Sequence, residues 1–356
     1  MNALRVLVVE DSVTVRKRLC EVLTADPEIQ VVGEAENGRR AIELCAALRP
    51  DVVTLDMMLP EMSGLAATEY IMAHHPTPIL VVSSSTNRGE LFKTYQALAA
   101  GALDVMEKPS GDDADADWDE RFIRTVKLIA RVRVITHPRG RLDGRMTPTA
   151  AHVRIGATEP RLARVRLVAL GASTGGPAAI RQVLRDLPAE FPVPILVVLH
   201  IAIPFGAAFA DWLDEQTPHR VRFARDAQSL DDRGVFLAPP GQHLIVQGNL
   251  LRLSDEPERF SCKPSVDVLF ESVARECAGA AIACLLTGMG RDGARGLLQI
   301  REAGGFTLAQ DEATSAVYGM PREAALLNAA RSIVPLHQVG ASIAAAIRNV
   351  EPARPK

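Results

Sequence analysis

The chain has 356 residues, 47% of them hydrophobic and 23% charged, with a net charge of −3. At roughly 100–200 residues per domain this predicts about two domains of ordinary soluble composition, and it excludes a disordered, fibrous or collagen-like chain. No basic region followed by a long apolar run opens the sequence, so no secretory signal is expected. The most apolar stretch, residues 193–203, is interrupted by Pro194 and His200. It falls well short of the ~18 apolar residues of a membrane span, so the expectation is a cytoplasmic protein without membrane insertion.

Charge is unevenly placed. Residues 1–125 hold 12 Lys/Arg against 21 Asp/Glu, residues 126–163 hold 8 against 2, and residues 164–356 hold 20 of each. An acidic segment and a neutral one lack the basic footprint of a duplex-DNA binder, so no nucleic-acid partner is expected. The basic stretch reads as a linker able to lie against something anionic, the acidic segment included. Cysteines stand at 20, 45, 262, 277 and 284, with no C-x-x-C pair. They are expected to be reduced thiols packed as small apolar groups, and no Cys/His cluster has the spacing of a zinc site.

In chain order, Arg5-Val-Leu-Val-Val-Glu10 predicts a strand. Ser12 can cap a helix whose apolar positions Val15, Leu19, Val22 and Leu23 follow helical spacing. There follow a strand at Gln30-Val-Val, a helix over 41–48, a strand at Asp51-Val-Val-Thr-Leu-Asp56, a helix over 65–74 and a strand at Ile79-Leu-Val-Val-Ser83. A helix over 91–100, a strand at Asp104-Val-Met-Glu107 and a helix from about Trp118 complete five βα units. Continuous Val/Leu runs are what strands buried on both faces of a parallel sheet require, so a doubly wound, flavodoxin-like domain is predicted. The acidic run 112–120 reads as a solvated helix start.

Helical periodicity fades after Val134, and residues 135–163 have no sustained apolar period. The predicted organisation is therefore a first domain over 1–125, a helix end and Arg-rich linker over 126–163, a second domain over 164–350 and a short tail over 351–356. The second domain opens with a strand at Arg166-Leu-Val-Ala-Leu-Gly171, followed by another at Pro194-Ile-Leu-Val-Val-Leu-His200. Residues 221–253 read as short strands and turns forming an antiparallel ribbon. A helix over 266–277, a strand over 281–287 and a helix over 293–302 follow. The class is α/β with a second parallel sheet.

In doubly wound sheets ligands gather at the carboxyl ends of the strands. Glu10, Asp11 and Asp56 end the first and third strands, and carboxylates converging there suit a hard cation such as Mg²⁺. Ser83 ends the fourth strand and Lys108 follows the fifth. A lysine, a hydroxyl and a metal around one aspartate are what a phosphoryl group on that aspartate requires. Each residue alone is also an ordinary polar strand end; all five together are not. Over residues 3–125 these positions resemble the receiver domain of bacterial response regulators. The resemblance implies Asp56 as phosphoacceptor, Mg²⁺ held by Glu10, Asp11, Asp56 and the Met58 carbonyl, and phosphoryl contacts from Ser83 and Lys108. Glu10 stands where Asp is commoner, and Val105 where many receivers carry an aromatic switch residue.

In the second domain, Gly171-Ala-Ser173-Thr-Gly175 fits G-x-S-x-G between a strand and a helix, a turn that exposes the serine oxygen. A serine hydroxyl needs an adjacent base. His200 ends the next buried strand, and Asp292 follows a third at the same edge, where it could orient the imidazole. Taken singly, these are a turn serine, a strand-end histidine and a helix N-cap. The order Ser, His, Asp is not that of the α/β-hydrolase fold, which is therefore not assigned. A rival lies in Gly288-Met-Gly290-Arg-Asp-Gly293, a literal G-x-G-x-x-G with Asp311 about 20 residues on, the spacing of a dinucleotide site. Such a site normally sits in the first βαβ unit of its domain, and this one lies late. A non-enzymatic output domain that only binds partners is the other alternative.

Four motifs in order weigh against both alternatives. They are Gly171-Ala-Ser-Thr-Gly-Gly-Pro177, Lys263-Pro-Ser-Val-Asp-Val-Leu-Phe270, Leu286-Thr-Gly-Met-Gly-Arg-Asp-Gly293 and Ala309-Gln-Asp-Glu-Ala-Thr-Ser-Ala-Val-Tyr-Gly-Met-Pro321. Together they resemble the chemotaxis protein-glutamate methylesterase/glutamine deamidase family (CheB type), as does the order receiver, linker, output domain. The resemblance implies a phosphorylation-activated serine hydrolase acting on methyl-accepting chemotaxis receptors, with a chemotaxis histidine kinase as phosphodonor. It implies Ser173 as nucleophile, His200 as base then acid, Asp292 as orienting carboxylate, and Thr174 with the Met289 N–H serving the oxyanion. No cofactor is expected in this domain, and the unphosphorylated receiver is expected to cover the site in part. The chain departs from the family at Ile201-Ala202, where Met and then Pro are common, and at Cys262, where His often precedes Lys-Pro-Ser.

Overall fold

The computed structural model describes residues 3–84, 88–109, 116–132, 134, 165–201 and 203–348. Most of the Arg-rich stretch, with its expected contact to the acidic segment, lies outside the described residues, as do Asp112, Asp113 and Asp115 of the acidic run.

The first half runs β1 (Leu4–Val9), α1 (Val13–Thr24), β2 (Ile29–Ala35), α2 (Gly38–Leu48), β3 (Val52–Leu55), α3 (Gly64–His74), β4 (Ile79–Ser83), α4 (Arg88–Ala100), β5 (Asp104–Glu107) and α5 (Ala116–Ile129). The five strands pair in parallel in the order β2-β1-β3-β4-β5. Every residue of β3 and β4 is buried, the pattern their unbroken apolar runs predict. The helices start where short polar side chains accept a backbone N–H: Ser12 from Val15, Asn37 from Arg40 and Ser63 from Ala66.

The second half runs β6 (Leu167–Ala172), α6 (Gly176–Asp186), β7 (Ile195–Leu199), α7 (Ile203–Gln216), β8 (Val221–Phe223), β9 (Gln228–Ser229), β10 (Val235–Leu237), β11 (His243–Gln247), β12 (Leu250–Ser254), α8 (Val266–Cys277), β13 (Ala281–Leu285), α9 (Ala294–Glu302), β14 (Phe306–Gln310), α10 (Met320–Leu326), β15 (Ser332–Val334) and α11 (Leu336–Arg348). Seven strands form a parallel sheet in the order β15-β14-β13-β6-β7-β10-β8. The chain winds from β6 to one side through β7 and later returns to the other through β13. The switch point therefore lies between β6 and β13, and this is where such sheets bind ligands.

The ribbon expected over 221–253 is only partly antiparallel. β9, β11 and β12 make a three-stranded antiparallel sheet, but β8 and β10 join the edge of the parallel sheet. Val235, Phe236 and Leu237 are all buried, and a three-residue strand buried on both faces belongs inside a layered sheet.

The two halves pack through helices and one strand end. Tyr95 on α4 is fully buried; its hydroxyl donates to the Phe205 carbonyl on α7 at 2.8 Å, and its ring lies 5.5 Å from Trp212 and 5.3 Å from Phe209. At the start of β5 the Leu103 carbonyl accepts the Gly175 N–H at 3.1 Å. Among the described residues no helix is long and apolar enough to cross a membrane.

Candidate active site and acidic cluster

In the first sheet Glu10 and Asp56 follow β1 and β3 side by side, both buried, with Asp11 exposed beside them. Their carboxylates converge to within 4.8 Å. Lys108, just past β5, donates to Glu10 Oε1 and to Asp56 Oδ2, each at 2.9 Å. Burial works against its ammonium, but the bonds to Glu10 and Asp56 outweigh it and hold its pKa above the usual lysine value. Burial, with Asp56 adding to it and Lys108 opposing it, lifts Glu10 to about 7. Among the described residues the buried Asp56 Oδ1 and Ser83 Oγ have no hydrogen-bond partner, and Glu10 Oε2 has only its ion pair with Lys108. Buried polar atoms normally have partners. An oxygen-only donor set with a free carboxylate oxygen fits a hard divalent cation.

In the second sheet the three residues named from sequence gather at the switch point. Ser173 follows β6, its N–H bonded to the Thr287 carbonyl at 3.0 Å. The turn behind it depends on glycine. Gly175 has φ +76°, and a Cβ there would sit 2.5 Å from the Ala316 Cβ. A Cβ at Gly288 would come within 2.7 Å of the Ser173 Cβ, so glycine lets the loop carrying Met289 pass beside the serine. His200 follows β7, one residue past the Ala172–Leu199 pair, and its N–H bonds the Ala172 carbonyl at 3.1 Å. Its Nε2 faces Asp292 Oδ2 at 2.8 Å. No hydrogen bond joins Ser173 Oγ to His200 among the described residues; resting hydrolase sites are often loose at this contact.

Asp292 is 2% exposed and does not cap the helix that follows it, whose N-cap is Gly293. It caps α8 from across the site. Its Oδ1 accepts from Ser265 Oγ at 2.8 Å and the Asp267 N–H at 3.0 Å, and its Oδ2 from the Val266 N–H at 2.7 Å. Burial opposes its charge, but the bond to His200, these N–H donors and Ser265 keep its pKa below the usual carboxylate value. For His200, burial disfavours the imidazolium, yet the bonds to Asp292 and Cys262 outweigh it and lift the pKa from 6.5 to about 9.

Three contacts escape sequence reasoning. Cys262 Sγ lies 3.6 Å from His200 Nδ1 although the residues are 62 apart in sequence. Asp267 is buried next to Asp292, accepts the Gly296 N–H at 2.7 Å, and is pushed up to about 6 by burial. Asp104 at the start of β5 faces Thr174, next to Ser173. Asp267 left a signal as part of the Lys263–Phe270 motif, and Cys262 as a departure beside it; Asp104 left none. In the rival glycine motif, Asp311 is engaged in its own turn, accepting from Thr314 N at 3.0 Å and Thr314 Oγ1 at 2.6 Å.

A family model described as CheB methylesterase matches residues 168–343, and one described as response regulator receiver domain matches residues 6–115. The class is a response regulator with a CheB-type methylesterase output domain. Protein-glutamate methylesterase/protein-glutamine glutaminase 2 of Anaeromyxobacter dehalogenans is 45% identical over 94% of this chain and 95% of its own. The corresponding protein 4 of Myxococcus xanthus is 43% identical over 98% of each chain. The crystal structure of the Thermotoga maritima CheB methylesterase catalytic domain is 30% identical, with a TM-score of 0.49 over 52% of this chain and 99% of that one. The chain belongs to the CheB family of protein-glutamate methylesterases/protein-glutamine glutaminases. Membership removes the dinucleotide oxidoreductase and the non-enzymatic output domain.

Proposed function

We propose that the chain hydrolyses glutamate γ-methyl esters on methyl-accepting chemotaxis receptors, releasing methanol, and deamidates receptor glutamines at the same site. The observation that carries this is the His200–Asp292 pair at 2.8 Å beside the Ser173 turn. Asp292 occupies Nε2, so Nδ1 is the nitrogen that takes the Ser173 proton as its oxygen attacks the side-chain carbonyl. The same proton passes to the departing methanol or ammonia. Water then gives a proton to Nδ1 and attacks the acyl-enzyme, and Nδ1 passes that proton to the departing Ser173 oxygen, freeing the glutamate carboxylate and restoring the serine and the neutral imidazole. Thr174 and the Met289 N–H serve the oxyanion.

In this reading residues 1–125 are the receiver, 126–163 a connecting segment, 164–350 the catalytic domain and 351–356 a tail. Asp56 accepts the phosphoryl group from a chemotaxis histidine kinase. Glu10, Asp11, Asp56 and the Met58 carbonyl would hold Mg²⁺, which neutralises phosphoryl charge when bound. Ser83 and Lys108 contact the phosphoryl oxygens. The bond from the Gly175 N–H to the Leu103 carbonyl, with Asp104 facing Thr174 beside it, supports a resting state in which the receiver restrains the oxyanion side of the site.

The test is methanol release from methylated receptor membranes, with and without a small phosphodonor. Release should vanish in Ser173→Ala and lose only its phosphodonor stimulation in Asp56→Asn. Release that persists in Ser173→Ala would sink the nucleophile assignment.

A further inference from the structure

His200, Cys262 and Asp292 bring a nitrogen, a sulfur and a carboxylate oxygen to within 4.8 Å of one another. Their arrangement is directional. Asp292 Oδ2 accepts from Nε2, which leaves Nδ1 facing Cys262 Sγ at 3.6 Å. A tetrahedral zinc with Zn–S of about 2.3 Å and Zn–N of about 2.05 Å sets its sulfur and nitrogen ligands about 3.6 Å apart. A carboxylate on the far nitrogen of a ligating imidazole is also the usual support of such a site, because it fixes the tautomer and strengthens the ligand.

The sulfur is held in place by its backbone. Arg259 and Cys262 exchange two main-chain hydrogen bonds, at 3.1 and 2.9 Å, across Phe260 and Ser261. Both of those residues have positive φ, +52° and +58°. This is the geometry of a type I′ turn built without glycine, and it sets Cys262 against the imidazole. The charges around the pair are mixed. Asp292 and Asp267 lie beside the imidazole; of the flanking cations, Arg259 is paired with Glu271, Arg291 lies over the Phe260 ring and Lys263 donates to the Asp255 carbonyl. Both Cys262 and His200 are partly exposed, so an ion can enter from solvent and keep water on its remaining positions.

We propose that His200 Nδ1 and Cys262 Sγ form a reversible two-ligand site for a borderline-soft divalent cation, Zn²⁺ fitting best, and that loading it shuts the esterase off. Binding replaces the thiol proton by a Zn–S bond and the Nδ1 proton of the imidazolium by a Zn–N bond, and both protons are released to solvent. No oxidation is involved. The inhibitory half rests on His200 acting as the base; the binding half does not.

Full-length protein in excess Mg²⁺, on an Asp56→Asn background to silence the carboxylate cluster, is titrated with Co²⁺. A thiolate-to-cobalt charge-transfer absorption is expected, saturating at one ion per chain and displaced by Zn²⁺. It should be absent in Cys262→Ser. No band in the parent, or an equal band in Cys262→Ser, would overturn the site. In methanol release, Zn²⁺ should inhibit reversibly with chelator. The concentration for half inhibition should rise about tenfold or more in Cys262→Ser and stay close to the parent value in Cys262→His, which keeps a ligand there. Equal Zn²⁺ sensitivity in all three overturns the inhibitory half. A protein that binds Co²⁺ but releases no methanol without metal leaves the site standing and removes the esterase reading.

Discussion

Asp104, at the start of the receiver's last strand, faces Thr174, the residue that follows the serine of the second domain. The contact joins a side chain of one sheet to the turn that shapes the other sheet's site, and the Gly175–Leu103 main-chain bond lies beside it.

Asp104→Ala should raise methanol release by the unphosphorylated protein. A polar side-chain contact of this kind contributes at most about 1 kcal/mol net, which corresponds to about fivefold in the balance of docked and undocked forms. Basal rate should rise by up to that factor while the fully phosphorylated rate stays put. An unchanged ratio of the two rates would mean that the contact does not restrain the site.

The same carboxyl makes docking sensitive to pH. Burial raises Asp104 above its ordinary 3.8, against Thr174 and the bond from the Val105 N–H. The docked form therefore holds the proton more tightly than the undocked one. Its contribution is complete below about pH 4 and is lost as pH climbs through the raised value. Tyr95, the other ionisable group facing Asp104, has its pKa pushed well above 10 by burial and stays neutral throughout. Hydrogen exchange at the Gly175 amide of the Asp56→Asn protein should speed up across that rise beyond the intrinsic pH effect. Asp104→Asn should abolish the excess.

Asp292→Asn should lose activity by about 10⁴-fold, because the amide cannot stabilise the imidazolium or hold its tautomer. It should also lower the melting temperature of the catalytic domain, by the loss of a charged cap worth about 1 kcal/mol. Ser173→Ala should abolish turnover without that shift. Comparing the two melts separates the structural half of the role of Asp292 from the chemical half.

Lys108→Met leaves two buried carboxylates facing each other. Removing one partner of a buried ion pair costs about 3–5 kcal/mol, and the 16% exposure of the Lys108 side chain places the effect at the low end. The melting temperature in chelator should fall, and Mg²⁺ should recover much of it. A variant that melts like wild type in chelator would show that the two carboxylates do not need the lysine.

Much of this is legible in the sequence. Runs that are almost wholly apolar placed β3, β4 and β7 almost to the residue, because a strand buried on both faces leaves little choice of side chain. Polar residues at their ends then marked both clusters. The failures have physical causes. Asp292 was legible as the partner of His200, but its bonds to the start of α8 were not, because that partner is remote in sequence. The three-residue strands β8 and β10 carry too little pattern to tell a parallel edge from a ribbon. The Tyr95–Phe205 junction was invisible because apolar residues at a domain interface look like those of a core. The pairing of Cys262 with His200 is set by one strained turn, and no spacing rule reports it.

One short segment joins the two clusters. β5 is an edge strand of four residues, with Asp104 at its amino end and Lys108 just past its carboxyl end. At about 3.3 Å per residue, the contacts of Lys108 with Glu10 and Asp56 and the contact of Asp104 with the serine turn are only about 13 Å apart. A shift of the lysine would have only these four residues of extended backbone to cross before it reached the other domain.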